Sequence, residues 1–317
     1  MLNQNPASAF PPLGAKQVLI GLPMRLDDLR PSDNVDDRRG EDYGGGGFGG
    51  FGGPRMVFGG GGLGLVAVLL ISLFFGVDPS QLLNGGNVSQ PPARHESGPR
   101  ADDADYMFAR RIIGSAEDVW APLLRQQGVN FHPATFTAYD DATPTGCGTG
   151  QSSAGPFYCP SDEHIYLDLA FFNELSRRFG APGDFARAYV IAHEYGHHIQ
   201  NLTGVMDRGG MGSMGPRGPQ EGAESQSVRT ELQADCYAGV WAYHANQQFS
   251  ILQSGDVEGA IKAAGAVGDD TLQKESQGYI VPDSFTHGTS AQRVRWFQRG
   301  LDGGRMDACD TFAAARL

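Results

Sequence analysis

An uncharged apolar run occupies residues 57–77, VFGGGGLGLVAVLLISLFFGV. About 20 such residues match the hydrocarbon core of a bilayer, so one transmembrane helix is expected there. A linker over 78–103 follows, rich in turn formers such as Asn84, Gly85, Gly86, Pro91 and Pro92. Beyond it the pattern becomes that of a globular domain, 104–317. Residues 106–127 place Phe108, Ile112, Ile113, Val119, Trp120, Leu123 and Leu124 at helical spacing, with a break expected near Gly114. Phe136, Thr137, Ala138 and Tyr139 read as a strand, and the run from Pro156 through Ile165 to Leu169 as a hairpin. Helices are predicted over 171–179, 185–203, 225–248, 256–266, 272–277 and 291–301. Asp184 and Ser290 are candidate N-caps, and Gly204 is a stop for the second of these helices. The expected fold is α+β, mostly helical, with a small antiparallel sheet.

Composition changes this picture at the N-terminus. Many of the 46 glycines crowd into one tract, 44–53, where only Phe48 and Phe51 could be buried. Residues 1–56 are therefore expected to be disordered, with Met24 a candidate true start. Arg38, Arg39 and Arg55 precede the apolar run, whereas Asp78 follows it and Arg94 is the nearest base beyond. The positive-inside rule then puts the N-terminal segment in the cytoplasm and the domain outside a bacterial inner membrane, held by a single pass through the bilayer. A formal net charge of −12, from 24 basic and 36 acidic residues, argues against a general nucleic-acid binder.

The chemistry concentrates in His193-Glu194-Tyr195-Gly196-His197. Residues four apart stack on one helix face, so His193 and His197 can share one tetrahedral Zn²⁺. Glu194 faces the open position, where it can take a proton from a metal-activated water. Two histidines need a third protein ligand, and Glu231 and Asp235 face one way on the next long helix. Glu231 is assigned as the metal ligand and Asp235 as acceptor for the free N–H of a ligand histidine, with the reverse assignment open. His287 is a candidate for stabilising an oxyanion, or a structural histidine before a helix cap. Arg293 is expected on a carboxylate, a substrate's or Asp283. His198 points about 100° away from His197 and cannot share its metal. The Gly/Met-rich run 209–216 reads as an exposed loop.

Six stretches in order carry a resemblance. They are SDNVDDRR, TGCGTGQSSAGPFYCP, IYLDL, YVIAHEYGHHIQ, ELQADCYAGVW and VPDSFTHGTSAQR. With these the chain resembles the bacterial putative neutral zinc metallopeptidases of the YpfJ type, over about residues 24–309. The resemblance implies a membrane-anchored, zincin-like peptidase with one zinc on His193, His197 and Glu231, Glu194 catalytic, and a protein or peptide substrate. More loosely the chain is similar to gluzincin peptidases that have Pro where Gly288 stands. The 209–218 segment departs from the family in being poor in helix formers. For a domain outside the cytoplasm, disulfides are expected. Cys147 with Cys159 closes a short loop and leaves Cys236 with Cys309, among three possible connectivities. The peptide-binding sheet edge is expected at Ile165 to Leu169. The rival reading is a membrane-tethered binding or scaffold protein whose zinc is structural or vestigial.

Overall fold

The computed structural model of the chain describes residues 24–41, 100–208 and 221–317. Strand β1 (Val35–Arg38) is followed by the long helix α1 (Asp103–Gln126). Strands β2 (Thr135–Tyr139), β3 (Ala142–Thr145), β4 (Gly148–Gln151), β5 (Phe157–Cys159) and β6 (His164–Leu167) come next. The remainder is helical: α2 (Phe171–Arg177), α3 (Asp184–Leu202), α4 (Val205–Arg208), α5 (Gln226–Phe249), α6 (Asp256–Ala266), α7 (Asp269–Gln277) and α8 (Ser290–Gly303). The fold is mostly helical with small sheets, as an α+β reading requires.

The main sheet is mixed rather than antiparallel. Its order is β1-β2-β6-β5, with β1 and β6 both parallel to β2 and only β5 antiparallel to its neighbour. The β3–β4 ribbon and β5 lie between β2 and β6 in the chain, and that intervening length lets β6 return in the same direction as β2. The predicted hairpin is real, but β6 is interior: the edges of this sheet are β1 and β5, not Ile165 to Leu169.

Residues 24–41 correct the expectation of a disordered segment through residue 56. Val35 pairs with Phe136 and Arg38 with Tyr139. Met24 and Leu29 are buried in the main core, a gain of about 1.5–3 kcal/mol each. Ser32 Oγ donates to Glu117 at 2.6 Å, and Arg30 bridges Glu117 at 2.7 Å. The SDNVDDRR motif is thus a clasp on α1. It also explains why α1 does not break at Gly114: a Cβ there would stand 2.3 Å from the Arg30 carbonyl, so the glycine serves close approach. The apolar stretch 57–77, most of the linker and the 209–216 run lie outside the described residues. No helix of the described residues is long and apolar enough to cross a membrane. Since β1 and β2 share one sheet, residues 24–41 belong to the same folded unit as the domain.

Helix α3 runs through the core against α1, α5 and α6, with Phe185 stacked on Trp241 at 6.2 Å. Helices α5 and α8 cross closely because each has a glycine at the contact. A Cβ on Gly239 would lie 2.1 Å from the Phe297 carbonyl, and one on Gly300 2.0 Å from the Cys236 carbonyl. This crossing carries Arg293 inward. Thr289 rather than Ser290 caps α8, in a capping box with Gln292. Cys147–Cys159 and Cys236–Cys309 are disulfides, the latter tying α5 to the C-terminal segment.

Candidate metal centre

Ala188 to Ala192, just before His193, are all buried, so the polar residues that follow on α3 are carried into the interior. His193, Glu194 and His197 are all under 9% exposed. Gly196 makes the depth possible, since its Cα packs on α5 where a Cβ would meet the Ala234 carbonyl at 3.0 Å. Glu231, one turn before Asp235, then faces both rings. His193 Nε2 lies 3.1 Å from Glu231 Oε2, and His197 Nε2 lies 3.6 Å from Oε1. One ligand atom from each of the three residues falls within 4.8 Å of the others, a group that could hold a metal ion.

Both imidazoles are oriented from behind. His193 Nδ1 is 2.9 Å from Asp235 Oδ1, and His197 Nδ1 is 2.8 Å from Gln200 Oε1. That leaves the two Nε2 atoms for the ion, together with a carboxylate, which is the N,N,O donor set of catalytic zinc. The residues present therefore fit zinc. Asp235 is completely buried and accepts from the Tyr189 hydroxyl at 2.5 Å. It is also gripped by Arg293, Nε to Oδ2 at 2.9 Å and Nη2 to Oδ1 at 3.0 Å. The expectation that Arg293 meets a carboxylate holds, but the partner is Asp235, neither Asp283 nor a substrate. Gln200 passes the support on, donating to the Thr230 carbonyl at 2.8 Å and to Gln233 at 3.0 Å.

Charge follows from these contacts. Burial opposes ionisation of Glu231, but His197 and His193 outweigh it and hold its carboxyl well below the usual range. Asp235 is lowered in the same way, with Arg293 and His193 outweighing burial. Burial lowers His193, yet Asp235 and Glu231 prevail and raise it to about 10 in the absence of an ion. Glu194 is different. Burial pushes it up to about 7, with the Glu231 carboxylate adding to the rise and His193 and Arg293 opposing it.

His287 stands at the rim with its side chain about half exposed, and its charge is felt by Glu231. Its Nδ1 is 3.1 Å from Asp269 Oδ1. Asp269 also accepts the backbone N–H groups of Thr286, His287 and Gly288 at 2.7–3.0 Å, so one carboxylate shapes the whole turn. Asp269 and Asp235 are far apart in the chain and do parallel work on two histidines.

The sequence reading brought His193, Glu194, His197, Glu231 and Asp235 to one place, and the structure does the same. It missed Tyr189, Gln200 and Asp269. Gln200 was within reach, three residues after His197 on the same helix face. Tyr189, four residues before His193, was equally readable. Asp269 opens α7, and no helix periodicity links that position to the turn carrying His287.

The sequence profile described as putative neutral zinc metallopeptidase matches residues 24–312. The uncharacterized protein YpfJ of Escherichia coli (strain K12) is 46% identical over 293 residues, covering 91% of this chain and 99% of that protein. The uncharacterized protein Rv2575 of Mycobacterium tuberculosis (strain ATCC 25618 / H37Rv) is 41% identical over 269 residues, 78% of this chain and 86% of that protein. No solved structure matches the chain.

Proposed function

The chain belongs to the putative neutral zinc metallopeptidase family, and from that premise we propose that it hydrolyses peptide bonds with Glu194 as general base. The observation that carries the reading is the convergence of His193 Nε2, His197 Nε2 and Glu231 while Asp235 and Gln200 occupy the two Nδ1 atoms. Zinc held by that trio would supply Lewis acidity toward a water and a scissile carbonyl.

Glu194 supplies the base. Its carboxyl, raised to about 7 by burial, is matched to proton transfer near neutral pH, taking a proton from water and delivering it to the leaving amine. His287, steadied by Asp269, offers a donor to the oxyanion of the tetrahedral intermediate. The substrate edge in this reading is β5. Pro156 and Pro160 bracket that strand and carry no N–H. An extended peptide would add to the sheet along this short edge by backbone pairing.

The two disulfides support an oxidising, extracytoplasmic compartment for residues 24–41 and the domain alike. The apolar stretch 57–77 is the proposed attachment to the inner membrane.

Glu194→Gln tests the assignment. Zinc content should stay at that of the native chain, while chelator-sensitive cleavage of a broad peptide library falls about 10²–10⁴-fold. Undiminished cleavage by the variant would refute it. A native chain that holds zinc and cuts nothing would support the tethered binding protein instead.

A further inference from the structure

The support behind His197 does not end at Gln200. Gln200 and Gln233 are both buried, and their side-chain amides lie in series. Gln200 Nε2 donates to the Thr230 carbonyl at 2.8 Å and to Gln233 Oε1 at 3.0 Å. Gln233 Nε2 donates in turn to the Cys309 carbonyl at 3.0 Å. A backbone carbonyl can only accept, so Thr230 and Cys309 fix which end of each amide is the nitrogen. Gln200 must then turn its oxygen to His197, and the imidazole donates from Nδ1 at 2.8 Å. Every donor in the series points away from the centre, which leaves the His197 Nε2 lone pair for the ion.

The far end of the series is held covalently. Gln233 and Cys236 are three residues apart on α5, so they share one face of that helix. Gln233 bonds the Cys309 carbonyl, and Cys236 bonds the Cys309 sulfur. Cys309 in turn closes the short helical turn Met306–Cys309. Arg229, from the first turn of α5, donates to the carbonyls of Thr311 and Ala314 further along. The C-terminal segment is therefore docked by more than the disulfide, whose own share is the place of Cys309. We propose that Gln233 is a positioning residue for the metal ligand His197, acting through Gln200, and that the Cys236–Cys309 disulfide fixes the carbonyl on which Gln233 is aligned. The inference rests on His197 being a zinc ligand, and it does not depend on what the zinc centre cleaves.

The test is a double-mutant cycle on zinc affinity in the full-length chain, read by competition with a chromophoric chelator. Gln233→Met keeps the length of the side chain and removes both of its hydrogen bonds. Gln233→Glu, which has no N–H for Cys309, serves if the methionine variant does not fold. Cys236→Ala with Cys309→Ala removes the disulfide and keeps the carbonyl. Each change should weaken zinc binding about 10–100-fold, and combined they should cost little more than the larger of the two. A second readout is the ring Nδ1–H of His197 in the metal-free chain, followed by ¹⁵N NMR. It should be protected from exchange in the native chain and exchange faster in the variants, while the backbone amides of α3 stay protected. Unchanged zinc affinity in a folded Gln233 variant, or a ring proton that stays protected there, would overturn the positioning role. Losses that add in full would overturn the part given to the disulfide. A native chain that takes up no zinc would count against the metal centre itself, and the ring proton would still decide the relay.

Discussion

Asp235 Oδ1 lies 2.9 Å from His193 Nδ1, and the same carboxylate is locked by Arg293 at 2.9 and 3.0 Å. The metal-facing nitrogen of His193 is therefore set by a residue of α5, and that residue is set by α8. The close crossing at Gly239 and Gly300 is what lets α8 reach so far in. The site is built from the packing of three helices, with the Cys236–Cys309 disulfide one residue beyond Asp235.

Asp235→Asn keeps the shape and removes the charge. Zinc affinity, measured by competition with a chromophoric chelator, should weaken about 10–100-fold, because the acceptor that orients and polarises His193 is lost. Asp235→Ala should do worse. It strands the Arg293 guanidinium without its partner in the interior, a cost of about 3–5 kcal/mol in urea unfolding. Unchanged zinc affinity in the asparagine variant would show that the contact does not tune the metal.

The local part of this arrangement could be read from the chain. His193 with His197 and Glu231 with Asp235 are i, i+4 pairs, and helix periodicity alone puts each pair on one face. The disulfides followed from loop length and elimination. What could not be read was non-local. β1 pairs in parallel with a strand about a hundred residues on, and a short polar segment such as VDDR carries no strand pattern of its own. The parallel β2–β6 pairing is hidden for the same reason, behind a hairpin that does show. The cap of α8 was legible and misjudged, since Thr289 with Gln292 is the T-x-x-Q signature one residue before Ser290.

Glu194 gives a pH signature that needs no substrate. Its carboxyl titrates near 7 in the folded, metal-free chain and near 4.5 when unfolded. Between those values the folded state binds the extra proton, so stability falls as pH rises through that window and the loss is complete above about 7. Glu194→Gln removes the group. In metal-free protein the variant should match the native chain below about pH 4.5 and exceed it at pH 8 by on the order of 1–3 kcal/mol in urea unfolding. A stability difference that does not change between pH 4 and pH 8 would mean that Glu194 is ionised without penalty.

Membrane sidedness is the remaining consequence of the sheet. Residues 24–41 contribute Met24 and Leu29 to the core, pair β1 with β2, and clasp α1 through Ser32 and Arg30. Contacts of this extent require that residues before and after the apolar stretch 57–77 meet in one compartment. Asp28 and Glu275 are both exposed, one on each side of that stretch in the chain, and the four native cysteines are paired in disulfides. Asp28→Cys and Glu275→Cys, labelled in intact cells with a membrane-impermeant maleimide, should therefore react to the same extent. Oxidising surroundings for the disulfides further require that both be labelled from outside the inner membrane. Labelling of Glu275→Cys alone would restore the single crossing, and β1 would then have to leave the sheet in the membrane-bound chain.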